Sequence, residues 1–148
     1  MKKFRVACIG MILAAALALN VTPVLAANTT DKPYRYTSVG GLNWHDTTHY
    51  EKTNTSKVYV KPDTSPSKRT NVQTYCYVSG KATNKTASGT VTLRNGHAYG
   101  ITNTVYEKGD RSNGHVEMWL KMRATSGTGL VSGNWSPDWT GKGDVAIV

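Results

Sequence analysis

Cys76 and four histidines are the side chains of this 148-residue chain best suited to covalent chemistry. A thiol becomes a nucleophile when an imidazole takes its proton and an arginine or backbone donor holds the oxyanion. His45, His49, His97 and His115 are the candidate bases. Set against this, Val72, Thr74, Cys76 and Val78 alternate with Asn71, Gln73, Tyr75 and Tyr77, which puts Cys76 on the apolar side of an extended segment. A thiol packed there is inert. His45-Asp46-x-x-His49 brings nitrogen and oxygen ligands close together, and on a helix the two imidazoles would share a face as a metal site needs. The surrounding threonines and aromatics disfavour a helix, no glutamate lies between the pair and no third ligand follows, so a solvated loop is expected and no metal is assigned. Paired carboxylates, a phosphate loop and a serine elbow are absent from the sequence. No catalytic residue and no cofactor are assigned.

A second set could bind rather than react. Tyr59, Tyr75, Tyr77 and Trp119 fall on the polar faces of strands, beside Lys121 and Arg123. Flat rings in such places stack on sugars, bases or lipid interfaces, and cations beside them attract anionic groups. These six are the candidate binding residues. Tyr and Trp are equally at home covering a second sheet, and packing is the competing reading for all of them, as for Trp135 and Trp139.

Strands are what must position these groups. Val116, Met118, Leu120, Met122 and Ala124 repeat with period two opposite Glu117, Trp119, Lys121 and Arg123, which a sheet with one wet side requires. Thr90 to Arg94 also alternates and runs into Asn95-Gly96, the dipeptide of a type I′ hairpin, so the expectation is a meander of three strands from Thr90 to Ala124. In its second strand Tyr99, Ile101, Asn103 and Val105 face inward, and Asn103 then needs a partner. Lys108 to Gly114 reads as a turn. Val58 and Val60 alternate with Lys57, Tyr59 and Lys61 in a strand stopped by Pro62. Tyr34 to Thr37 reads as a short strand, and Leu42 to Tyr50 as loop or edge strand. Val145 to Val148 is apolar enough for an edge strand. Short strands about ten residues apart, with no helical stretch after residue 26, predict an all-β fold: a single antiparallel β-sandwich or partly open barrel.

Lys2, Lys3 and Arg5, the apolar run Val6 to Leu19 and the small residues Val24 and Ala26 form a secretory signal peptide cut before Ala27. The domain organisation expected is therefore a signal peptide over 1–26, a disordered leader over 27–33, a β-sandwich domain over 34–138 and a tail or edge strand over 139–148. Three of the 18 Lys/Arg and none of the 9 Asp/Glu lie in the signal, leaving 15 − 9 = +6 on the mature chain. Only Cys76 survives cleavage, so no internal disulfide forms and packing has to stabilise the fold. No transmembrane segment remains after cleavage.

Thr53 to Lys61, Asn103 to Gly109 and Ser132 to Asp138 together resemble small secreted β-proteins of Gram-positive bacteria that are largely uncharacterised. The size and signal peptide are similar to those of lactococcin-972-like bacteriocins. Thr74-Tyr75-Cys76 resembles in two letters the strand that carries the sortase nucleophile, without its flanking leucine and threonine. The function expected is that of a secreted, extracellular, non-enzymatic β-sandwich, bacteriocin-like or envelope-binding. Its partner would be an anionic cell-envelope polymer or lipid surface, with no specific nucleic acid. The rival is an extracellular Cys-dependent hydrolase or transpeptidase built on Cys76.

Overall fold

Alternation at 116–124 and 71–78 becomes the two longest strands of the protein, and they pair with each other. In chain order the computed structural model has β1 (Lys32–Ser38), β2 (His45–Asp46), β3 (Tyr50–Lys52), β4 (Val58–Thr64), β5 (Arg69–Val78), β6 (Lys81–Asn84), β7 (Val91–Arg94), β8 (Tyr99–Ile101), the helical turn α1 (Val105–Lys108), β9 (Arg111–Ser112), β10 (His115–Ala124), β11 (Gly129–Ser136) and β12 (Ala146–Ile147). Residues 28–139, 141 and 146–148 are described, and the expected signal peptide lies outside them. Among the described residues no helix is long and apolar enough to cross a membrane.

The strands form two sheets in a sandwich-like arrangement with a curled, half-barrel character. One sheet runs β1-β11-β4-β8-β12. The larger has β10 and β5 at its centre, with β2, β3 and β9 on the far side of β10 and β6 and β7 on the far side of β5. All pairs are antiparallel except β12 with β8. Between the sheets lie Val58, Val60, Ile101, Val131 and Trp135 from the first, facing Val72, Cys76, Leu93, Val116, Met118, Leu120 and Met122 from the second. Each such aliphatic side chain contributes about 1.5–3 kcal/mol by leaving water, which is the stabilisation a fold without a disulfide depends on.

Three expectations are corrected. Asn95-Gly96 closes no hairpin: β7 pairs with β5 and β8 with β4, so the chain crosses between sheets there. The Asn95 N–H is taken by the Lys68 carbonyl at 3.1 Å and the Gly96 N–H by the Pro62 carbonyl at 2.7 Å, which fixes the crossing instead of a two-residue turn. The type I′ signature, positive φ at both central residues, belongs to Ser79-Gly80 (50° and 72°) between β5 and β6 and to Asn113-Gly114 (49° and 83°) between β9 and β10. Second, the alternation from Tyr99 does not continue as a strand, because the Asn103 side chain accepts the Val105 N–H at 3.2 Å and starts the turn α1. Its amide donates to the Ile101 carbonyl at 3.1 Å, which satisfies the inward-facing Asn103. Third, Pro62 does not end its strand. The β4–β11 ladder shifts register between Ser132 and Gly133, opposite Thr64 and Pro62, so the missing N–H falls at a bulge.

The two ends of the domain are joined by a buried ion pair. Lys52 Nζ donates to the Ser56 carbonyl (2.6 Å), the Pro137 carbonyl (2.7 Å) and Asp138 Oδ1 (3.1 Å), which uses all three ammonium protons. Asp138 Oδ2 accepts from the N–H of Asn28 (2.8 Å) and from the N–H (3.1 Å) and hydroxyl (2.7 Å) of Thr53. Asn28 is thus held in place within the stretch expected to be a disordered leader, and β1 begins inside it at Lys32.

Candidate functional site

Five of the six candidate binding residues come together on the outer face of the larger sheet. The β10–β5 register sets Trp119 opposite Tyr75, Lys121 opposite Gln73 and Arg123 opposite Asn71, all with side chains away from the core. Tyr77, one step along β5, completes a cluster: the Trp119 ring lies 5.8 Å from Tyr75 and 5.1 Å from Tyr77, both tilted. Lys121 Nζ sits 4.8 Å above the Tyr75 ring, and the Arg123 guanidinium 4.6 Å above Trp44. Tyr59 stands on β4 in the other sheet and takes no part.

Within the cluster one of the three rings that the strand pattern puts on the polar face, Trp119, is covered. His49 lies flat on Trp119, 4.2 Å away and 11° from parallel, and leaves Trp119 only 2% exposed. Tyr77 is 37% exposed. Trp119 is therefore the floor of the face, with the exposed Tyr77 and the half-buried Tyr75 beside it. Lys121 is partly neutralised by Asp46, 3.6 Å from its Nζ.

Sequence reasoning missed the second half of this face. Glu117 and Glu51 are directly opposite on β10 and β3, an arrangement that is unfavourable unless each charge is answered. His49 Nδ1 lies 2.7 Å from the Glu117 carboxylate and His115 Nε2 lies 3.1 Å from that of Glu51. Beside them a cleft of about 430 Å3 opens between Tyr77, Asp110, Arg111 and His115. Asp110 holds its rim by accepting the N–H groups of Ser79 and Gly80, both at 2.8 Å, and these two bonds keep its carboxyl below the usual carboxylate range. The available signal was the strict i, i+2 spacing of His115, Glu117 and Trp119 against His49 and Glu51, which becomes visible only once β3 is known to pair with β10.

The residues considered for covalent or metal chemistry are dispersed. Cys76 is fully buried, and desolvation pushes its thiol up to about 11. His45 stacks on Tyr36 with ring centroids 4.1 Å apart, His49 and His115 are held by carboxylates, and His97 is exposed. His45 and His49 are therefore engaged separately, with Asp46 turned to Lys121. Among the described residues no group of three or more His, Cys, Asp or Glu converges on a common point.

A family model described as a protein of unknown function (DUF2712) matches residues 22–139. No curated protein and no solved structure matches the chain.

Proposed function

We propose that this chain, which belongs to the DUF2712 family, is a secreted, non-enzymatic protein that acts outside the cell by binding the cell envelope through the outer face of its larger sheet. The observation that carries this reading is the row of exposed Tyr77 and half-buried Tyr75, Lys121 and Arg123 on the β5–β10 pair, backed by the buried ring of Trp119. Rings held by packing lose little entropy on contact with a ligand, and cations beside them draw in anionic polymer. The signal-peptide pattern supports secretion, and the resemblance to lactococcin-972-like proteins extends the reading to a bacteriocin-like action on neighbouring cells.

The rival, a Cys76-dependent hydrolase or transpeptidase, is disfavoured by a thiol that is buried, raised and without a histidine partner. The test is binding to purified Gram-positive envelopes in a salt series. Binding that persists at about 0.15 M salt, where screening acts beyond about 8 Å, and falls roughly tenfold in Tyr75→Ala/Tyr77→Ala supports a site. Binding that vanishes at that salt, or ignores both substitutions, refutes it.

A further inference from the structure

The most exposed large apolar side chains of the core-forming types lie together at one end of the sandwich. Leu42 is 78% and Val39 58% exposed. They flank a four-residue turn, Val39-Gly40-Gly41-Leu42, closed by the Leu42 N–H on the Val39 carbonyl at 3.3 Å. Both central residues have positive φ, 62° and 69°, a conformation that favours glycine, and the turn brings the backbones of Val39 and Leu42 close together at its two ends. Gly41 rests on the β10–β11 connection so closely that a Cβ would lie 2.9 Å from the Ala124 carbonyl and from Ser126. Gly40 donates its N–H to the Thr128 hydroxyl at 3.1 Å. The tip is thus braced from beneath.

The β10–β11 connection on which Gly41 rests leads to a group of cations on the neighbouring strands. Thr125 donates its N–H to the Arg69 carbonyl at 3.3 Å, and Arg69 lies directly opposite Arg94 in the β5–β7 register. Lys68 adjoins Arg69, and Arg123 stacks on Trp44, two residues past the tip. Two arginines opposite each other repel, and none of Lys68, Arg69, Arg94 and Arg123 has a carboxylate ion-pair partner among the described residues. A soluble surface gains nothing from two exposed apolar side chains near cations that have no carboxylate partner. An anionic bilayer answers both: acyl chains accept Val39 and Leu42, headgroup phosphates accept the cations, and Trp44 suits the interface between them.

We propose that the Val39–Leu42 turn, with the cations of the adjoining strands, is a docking site for an anionic lipid surface. It shares Arg123 with the outer-face reading but turns on Val39, Leu42, Arg69 and Arg94, which that reading does not use. A soluble anionic polymer would engage the cations alone and leave the apolar tip in water, which is the basis of the test. A chain beginning at Ala27 contains every described element and avoids the apolar amino-terminal run. Sedimentation with phosphatidylcholine vesicles should show little binding, and vesicles containing phosphatidylglycerol should carry the protein down. Arg69→Gln/Arg94→Gln should weaken that binding by about tenfold or more, and Val39→Ser/Leu42→Ser by about tenfold. A Leu42→Cys variant labelled there with a polarity-sensitive fluorophore should shift to the blue on the anionic vesicles. Equal binding to neutral vesicles, undiminished binding by the Val39/Leu42 variant, or a label that stays in water would each overturn the proposal, the last two in favour of polyanion attraction alone.

Discussion

Lys52 and Asp138 show how a single pair can hold a fold whose sequence gives no sign of it. Lys52 lies in a three-residue edge strand among polar neighbours, and Asp138 follows Pro137 as the last residue of the expected domain, so neither spacing nor composition marks them. Desolvation would raise the Asp138 carboxyl, but the Lys52 ammonium, the Thr53 hydroxyl and the Asn28 N–H together hold it below the ordinary carboxylate value. Desolvation also holds the Lys52 ammonium below its ordinary value, against the pull of Asp138. Removing one partner leaves a buried charge unanswered, so Asp138→Ala should cost about 3–5 kcal/mol in denaturant unfolding. The sign with pH follows from the depressed carboxyl: the folded state binds fewer protons than the unfolded one. The stabilisation is fully present above about pH 4, the unfolded carboxylate value, and is lost as pH falls through the lower folded value. Thermal unfolding from pH 7 to pH 2 should show a steeper acid decline in the wild type than in Asp138→Asn. Parallel declines would mean that other carboxylates control the acid limb.

Among the elements, those that bury one face were legible and those fixed by distant partners were not. Period-two alternation found β5 and β10 within a few residues, and it put Cys76 in the core. The same alternation misled at Val105, where a local Asn103 side-chain bond turns the backbone into α1, and the Asn95-Gly96 dipeptide misled because Lys68 and Pro62, distant in sequence, claim its N–H groups. The candidate face was half legible for the same reason: Tyr75, Tyr77, Trp119, Lys121 and Arg123 follow from strand period alone, whereas the cover His49 lays over Trp119 depends on how a short edge strand docks. Gly133 is another position whose need is tertiary. It sits at the β11 bulge, where a Cβ would run into the Lys61 carbonyl and the Tyr34 ring of the two flanking strands. Both neighbours are anchored, one as ladder backbone and one as a core ring, so neither can yield cheaply. Gly133→Ala is expected to destabilise by about 1–3 kcal/mol, measured as a lower unfolding midpoint, whereas Gly80→Ala, with open space around its Cβ, should cost only the left-handed backbone penalty of about 1–2 kcal/mol.

At the scale of the whole molecule, Cys76 reports on whether the sandwich opens as a unit. It is the single cysteine beyond the expected cleavage site, it is buried on β5, one of the two central strands of the larger sheet, and the turn after α1 packs on its sulfur at Gly109. We expect that turn to stay closed, so that reaching the sulfur requires separating the sheets. A domain of this size is stable by at least about 5 kcal/mol, which limits the open population to less than about one in a thousand. The raised thiol value reduces the thiolate present at neutral pH further still. A thiol-reactive chromophore in native buffer should thus label Cys76 at least about a thousandfold more slowly than it labels the unfolded chain. Denaturant should bring the two rates together at the same midpoint as loss of the far-ultraviolet strand signal. The destabilised Gly133→Ala and Asp138→Ala variants should label faster, by about tenfold for each 1.4 kcal/mol of stability lost. Rapid labelling of the native protein, with the strand signal intact, would place Cys76 at an accessible site and favour the rival Cys-dependent hydrolase. Slow labelling that follows global stability leaves the thiol as packing, and the search for function belongs on the surface.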